Sequence, residues 1–235
     1  MLRKIVLGVS ALALVSVGVV ATGGVAGAKK TPVQGTFSCA STGFTTINPG
    51  LVLSIPPITK PGKPDKPGKD KGPKYVSTGS GSGCGGSATA GTAPTSYTLS
   101  SKSKGLSHAL LQPPSSCSNP ARVAKVKITF NTGDKLKVSQ TTGSSIAYNP
   151  GTNVSTPFPA CGSDSTTANN FAIAHINDRI KVISTGVSTG KAYTGKTVTS
   201  TSITTQTLGD ELTLALTTGV TRLDADPAYS TLTIG

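Results

Sequence analysis

Alternation of apolar and polar residues is the strongest signal along this chain. Over residues 122–130, RVAKVKITF, the side chains of Ala124, Val126, Ile128 and Phe130 fall on one face, and Lys125, Lys127 and Thr129 fall on the other. After a turn at 131–134, NTGD, the alternation resumes in KLKVSQ, with Leu136 and Val138 on the apolar side and Lys135 and Lys137 on the polar one. A period of two marks a strand buried on one face and wet on the other. The segment therefore predicts a β-hairpin with lysines on its outer surface. LVLSI at 51–55 alternates in the same way through Leu51, Leu53 and Ile55, and Pro56 and Pro57 end it by removing two backbone donors. Further strands are predicted at 33–40, 75–80, 96–101, 180–185, 192–205 (as one piece or two) and 229–234.

One late segment departs from this period. Leu208, Leu212 and Leu216 recur at every fourth position after Thr207, and Asp210 follows Thr207 by three residues. This predicts a helix with Thr207 as its N-cap and Asp210 and Glu211 in the first turn, where the helix favours negative charge. LTLAL also alternates, so a strand is the competing reading. Short strands divided by Gly, Pro, Asn and Ser turns, with little helix, predict an all-β fold: an antiparallel β-sandwich with one short C-terminal helix.

The first residues bear on the compartment. Arg3 and Lys4 precede an apolar run at 5–20, and Ala26, Gly27 and Ala28 follow it, the order of parts in a secretory signal peptide. Removal of 1–28 would leave one secreted β-rich domain at 29–235 with no membrane span; kept as an anchor, the run would tether that domain to a bilayer. Cys39, Cys84, Cys117 and Cys161 are an even set in an exported chain and predict two disulfides, for which three pairings are open. If the strands run up and down in sequence, Cys39 and Cys84 each close a strand of the same direction. That favours Cys39 with Cys84 and Cys117 with Cys161. With no CxxC and two histidines, neither a metal site nor a cofactor is expected.

The charge balance points to a class of partner. The chain carries a formal net charge of +13, which draws a protein to polyanions without specifying any of them. The charge is concentrated in TKPGKPDKPGKDKGPK at 59–74. Lys60, Lys63, Lys66 and Lys69 recur at every third residue, so a polyproline II conformation would set their ammonium groups along one edge. With Lys71 and Lys74 they are the candidate contacts to an anionic envelope polymer. The stretch cannot bury a core and is expected to be a flexible insertion. It holds no aromatic residue before Tyr75, so no specific nucleic-acid recognition is expected.

Catalytic patterns are sparse. GSGSG at 79–83 places its serines at the wrong spacing for a nucleophile elbow. His175 with Asp178, in FAIAHIND, and Asp224 with Asp226, in RLDADP, are the groups a hydrolase would use. The first reads as a strand end and the second as a turn before the last strand, so no catalytic residue is assigned.

GTFSCASTG, the Gly-rich GSGCGGS, and a late helix leading into STLTIG together resemble exported β-rich proteins of unknown function common in actinobacteria. Members often carry a cysteine in the late helix, which this chain lacks. The resemblance implies export and a β-rich fold and no activity. The functional expectation is a secreted or cell-wall-associated binding or structural protein that meets an anionic surface polymer through its lysine-rich loop, with a secreted hydrolase as the alternative.

Overall fold

A computed structural model describes residues 30–51, 73–104, 122–143, 146–159 and 165–235. The expected leader at 1–28, arm residues 59–72 with Lys60, Lys63, Lys66, Lys69 and Lys71, and the expected Cys117–Cys161 pair lie outside the described residues.

In chain order the strands are β1 (Gln34–Gly35), β2 (Phe37–Ala40), β3 (Thr42–Leu51), β4 (Lys74–Ser82), β5 (Ala88–Ala90), β6 (Ser96–Lys104), β7 (Arg122–Phe130), β8 (Lys135–Thr142), β9 (Ile146–Asn149) and β10 (Val154–Pro157). Helix α1 (Ser165–Ala174) follows, then β11 (Arg179–Val187), β12 (Thr197–Thr207), helix α2 (Leu208–Thr217), β13 (Val220–Ala225) and β14 (Thr231–Ile234). The β7–β8 hairpin and α2 form as the sequence predicts. Thr207 caps α2 in a capping box: its hydroxyl accepts from the Asp210 N–H at 3.2 Å, and the Asp210 carboxylate accepts from the Thr207 N–H at 3.0 Å.

Among the described residues every strand pair is antiparallel, as expected of the class. Two stacked sheets are not what the described strands form: β1 and β5 make a small sheet of their own, and the other twelve strands make one sheet that closes on itself. Running β3–β4–β6–β7–β8–β11–β12–β13 and back to β3, eight strands make a ring. Closure follows from β11 and β12, which pair with each other along almost their whole length and each divide their outer edge between two partners. β11 meets β9 through Arg179, Ile180 and Lys181, and β8 through Ser184 and Thr185. β12 meets β14 through residues 198–201 and β13 through Thr204. The β9–β10 and β14–β2 pairs therefore branch off the barrel as short flaps. Gly186 lets β11 approach β8, since a Cβ there would sit 2.3 Å from the Ser139 carbonyl oxygen.

Inward side chains divide the interior into zones. At one end Phe37, Tyr97, Phe130 and Tyr193 pack edge to face, with centroids 5.3–6.2 Å apart, over Leu136, Val198 and Ile234. This burial is the main stabilising term of the fold, at roughly 1.5–3 kcal/mol for each fully buried large side chain. At the other end Ile47, Leu51, Tyr75 and Val220 form a smaller cluster closed by Ala215 of α2. Between them the inward positions turn polar. Thr45, Ser77, Ser101, Val126 and Val138 lie opposite one another across β3, β4, β6, β7 and β8, and a cavity of about 190 Å³ opens at their level.

Cys39 and Cys84 are joined in a disulfide, the first of the favoured pairs. Ser38 and Gly85 exchange backbone hydrogen bonds beside it, and this bridge brings the two cysteines together. Gly81 makes room for the crossing, because a Cβ there would fall 2.4 Å from the Ala40 oxygen and 2.7 Å from the Cys39 sulfur.

Candidate functional site

The alternation that buries the apolar face of β6, β7 and β8 leaves their odd or even partners on the outer wall. On that wall stand Lys102 and Lys104 of β6, Lys125 and Lys127 of β7, and Lys135 and Lys137 of β8, all exposed. Lys74, the last of the predicted arm lysines, is not in a loop: it opens β4 and extends the same wall. The register sets these residues against one another. Lys74 faces Lys104, Lys102 faces Lys125, and Lys127 faces Lys137. Facing Cβ atoms in an antiparallel pair are roughly 5 Å apart and like charges there repel. Along each strand the lysines recur roughly every 7 Å. Between residues 73 and 143 the sequence holds one acid, Asp134, in the β7–β8 turn, where it accepts a hydrogen bond from Thr132. Among the described residues none of the seven lysines has an acidic partner. The outer wall is a cationic band four strands wide, and the described end of the arm runs directly into it.

Of the groups considered for catalysis, His175 and Asp178 are brought together, whereas Asp224 and Asp226 are each held by an arginine. His175 follows α1, a helix and not the expected strand end; its ring lies 2.7 Å from an Asp178 carboxylate oxygen and stacks on Phe171 at 4.4 Å. Among the described residues no hydroxyl side chain bonds to that ring. Asp178 is buried and its backbone accepts the Leu208 N–H at 2.6 Å, so the pair fixes the turn that leads to α2. Asp224 lies within β13, not in a turn, and takes a two-pronged contact from Arg222 at 2.7–3.0 Å; that guanidinium also covers the Phe44 ring at 4.1 Å. Asp226 binds Arg179 and accepts the Ala228 N–H at 2.9 Å. Burial pushes the Asp226 carboxyl up, but the Ala228 hydrogen bond and the bond and charge of Arg179 together outweigh it and hold it below its usual value. These acids are structural ion-pair members.

One acid was not singled out beyond its place in the helix. Glu211 lies on the inward face of α2 with Leu208 and Ala215, is fully buried, and neither carboxylate oxygen has a hydrogen-bond partner among the described residues. Burial, with smaller contributions from Asp210 and Asp224, raises it to about 7. Asp210, its exposed neighbour, is held low by the backbone and side-chain hydrogen bonds of Thr207.

Among the described residues no group of three or more His, Cys, Asp or Glu is placed to hold a metal ion, and no helix is long and apolar enough to cross a membrane. No protein-family model matches the chain, and no curated protein or solved structure matches it.

Proposed function

We propose that the protein is an exported binding protein, secreted or held at the cell wall, that attaches to an anionic polymer of the cell envelope through the lysine wall of β4, β6, β7 and β8. The observation that carries this reading is the three pairs of lysines set directly opposite one another. Each such pair destabilises the sheet, whereas scattered lysines would keep the surface equally soluble. A bound polyanion relieves the repulsion. Arm residues Lys60, Lys63, Lys66, Lys69 and Lys71 precede Lys74 in sequence and add charge to the same contact. Export is supported by the leader-like first 28 residues and by the Cys39–Cys84 disulfide, a bond favoured outside the cytosol. The hydrolase alternative draws less support: Asp224 and Asp226 are paired to arginines, and although His175 and Asp178 meet, among the described residues no hydroxyl side chain bonds to that ring as a nucleophile would.

Retention on immobilised polyphosphate tests the reading. The full chain is expected to bind at low ionic strength and to elute as salt rises, since exposed charges are screened within about 8–10 Å at physiological ionic strength. A variant carrying Lys102→Gln, Lys125→Gln, Lys127→Gln and Lys137→Gln is expected to elute at clearly lower salt. Equal elution of the two proteins would remove the wall from the binding surface.

A further inference from the structure

The barrel interior is the second feature that calls for a ligand. Eight strands enclose a space that side chains either fill or leave open for one small molecule. Here they fill it at the aromatic end and not at the middle. Leu136 and Ile128 are fully buried, while Ser77, Leu99 and Ser101, which point inward on the neighbouring strands, remain partly exposed to the cavity. The volume, about 190 Å³, is somewhat larger than an engineered cavity of ~150 Å³ that accepts benzene.

The lining defines the chemistry. One part is apolar, with Leu99, Val126, Val182 and Leu223; another is hydroxyl- and amide-bearing, with Ser77, Ser101, Gln140 and Ser200. Some of these polar groups are spent on each other: Thr45 and Ser77 are hydrogen-bonded at 2.8 Å, and the Gln140 amide donates to the Val198 oxygen at 3.2 Å and to Ser200 at 3.0 Å. The hydroxyls of Ser101, Ser103 and Ser202 have no such partner among the described residues, and each can donate one hydrogen bond and accept others. Among the described residues no Asp, Glu, Lys, Arg or His side chain lines the space. An ion placed there would lose its hydration without gaining a counter-charge, which is costly.

We infer that the barrel is a binding site for a small neutral molecule, about benzene-sized or slightly larger, with an apolar body and at least one hydroxyl or amide group. The apolar body packs on the Leu99–Val126 side, and the polar group meets the free serine hydroxyls. This site is independent of the lysine wall, since inward and outward side chains alternate along the same strands.

Benzyl alcohol is a suitable probe, with benzoate, benzylammonium and toluene as isosteres, in titrations of the full chain followed by ligand-observed NMR. The titrations are run at raised salt, so that benzoate does not register through the outer lysines. Benzyl alcohol is expected to bind at least about tenfold more tightly than either ion and more tightly than toluene. Ser101→Leu, which fills the cavity, should abolish binding. Ser101→Ala, which keeps the space, should reduce the preference for benzyl alcohol over toluene and serves if the leucine variant fails to fold. Absence of benzyl alcohol binding at millimolar concentration, equal binding of an ion, or undiminished binding to a folded Ser101→Leu protein would overturn the assignment.

Discussion

Glu211 shows how one residue sets a pH dependence for the whole fold. Its carboxyl is buried without a hydrogen-bond partner among the described residues and is raised to about 7, against an ordinary value of 4.5. The folded protein therefore holds a proton between these values that the unfolded chain releases. The contribution of Glu211 to stability is greatest below about 4.5 and falls as pH rises through that window, by about 3 kcal/mol once the group is ionised. Asp226 and Asp210 have the opposite sign: their lowered carboxyls add stability above the ordinary value of 3.8 that is lost as pH falls below it. Urea unfolding at pH 5 and pH 8 is expected to show the loss in the wild type and a much smaller one in Glu211→Gln. Equal losses in the two proteins would contradict this role of Glu211. At this scale the sequence is informative about Thr207 and Asp210, which lie close in the chain, and about the Cys39–Cys84 pair, although the two cysteine segments meet through an antiparallel bridge, Ser38 with Gly85, and not as strands of one direction. It placed Glu211 only as a favourable charge in the first turn. That the same residue faces inward depends on which side of α2 meets the barrel, which spacing alone does not decide.

Among the elements, those with large apolar residues on one face were legible and those with small polar ones were not. β7 and β8 show a strict alternation that survives in the structure residue by residue. β3 went unpredicted because Gly43 and Thr45, which face the cavity, look like surface residues in sequence; only its last residue, Leu51, belongs to the predicted 51–55 strand. RLDADP at 222–227 reads as a turn in sequence, yet its first four residues end β13, where Arg222 and Asp224 point the same way and pair with each other. α1 is Thr- and Asn-rich and gave no helical stripe. The helix that was predicted depends on its cap. Thr207→Ala removes the acceptor for the Asp210 N–H and the hydroxyl donor to the Asp210 carboxylate, while the backbone N–H of residue 207 still donates to that carboxylate, so a loss of about 1 kcal/mol is expected. Thermal or urea unfolding at neutral pH measures it, and an unchanged midpoint would contradict the role given to the capping box.

For the molecule as a whole, the β-rich class was evident from turn spacing, but closure was not. The ring is completed by few pairings: Ser184 and Thr185 of β11 with β8, and Thr204 of β12 with Ala225 of β13. Contacts so short leave little trace in a sequence, and a sandwich and a closed barrel share the same alternation. The lysine wall was half visible. The alternation marks Lys125, Lys127, Lys135 and Lys137 as outward residues, while the densest run of lysines in the sequence is the arm. That the wall continues through Lys102, Lys104 and Lys74 follows from the order of strands, which only the assembled sheet supplies.

The claim that this wall exists to meet a polyanion separates most cleanly from a role in solubility through Lys127→Glu. That substitution turns the Lys127–Lys137 repulsion into an attraction, and cross-strand pairs of this kind contribute roughly 0.2–1 kcal/mol. Thermal unfolding with and without polyphosphate is the measurement. Without polymer the variant is expected to melt above the wild type; with polymer the wild type should gain in melting temperature and the variant should gain clearly less. A wild type unmoved by polyphosphate, or a variant that gains as much, would contradict the account.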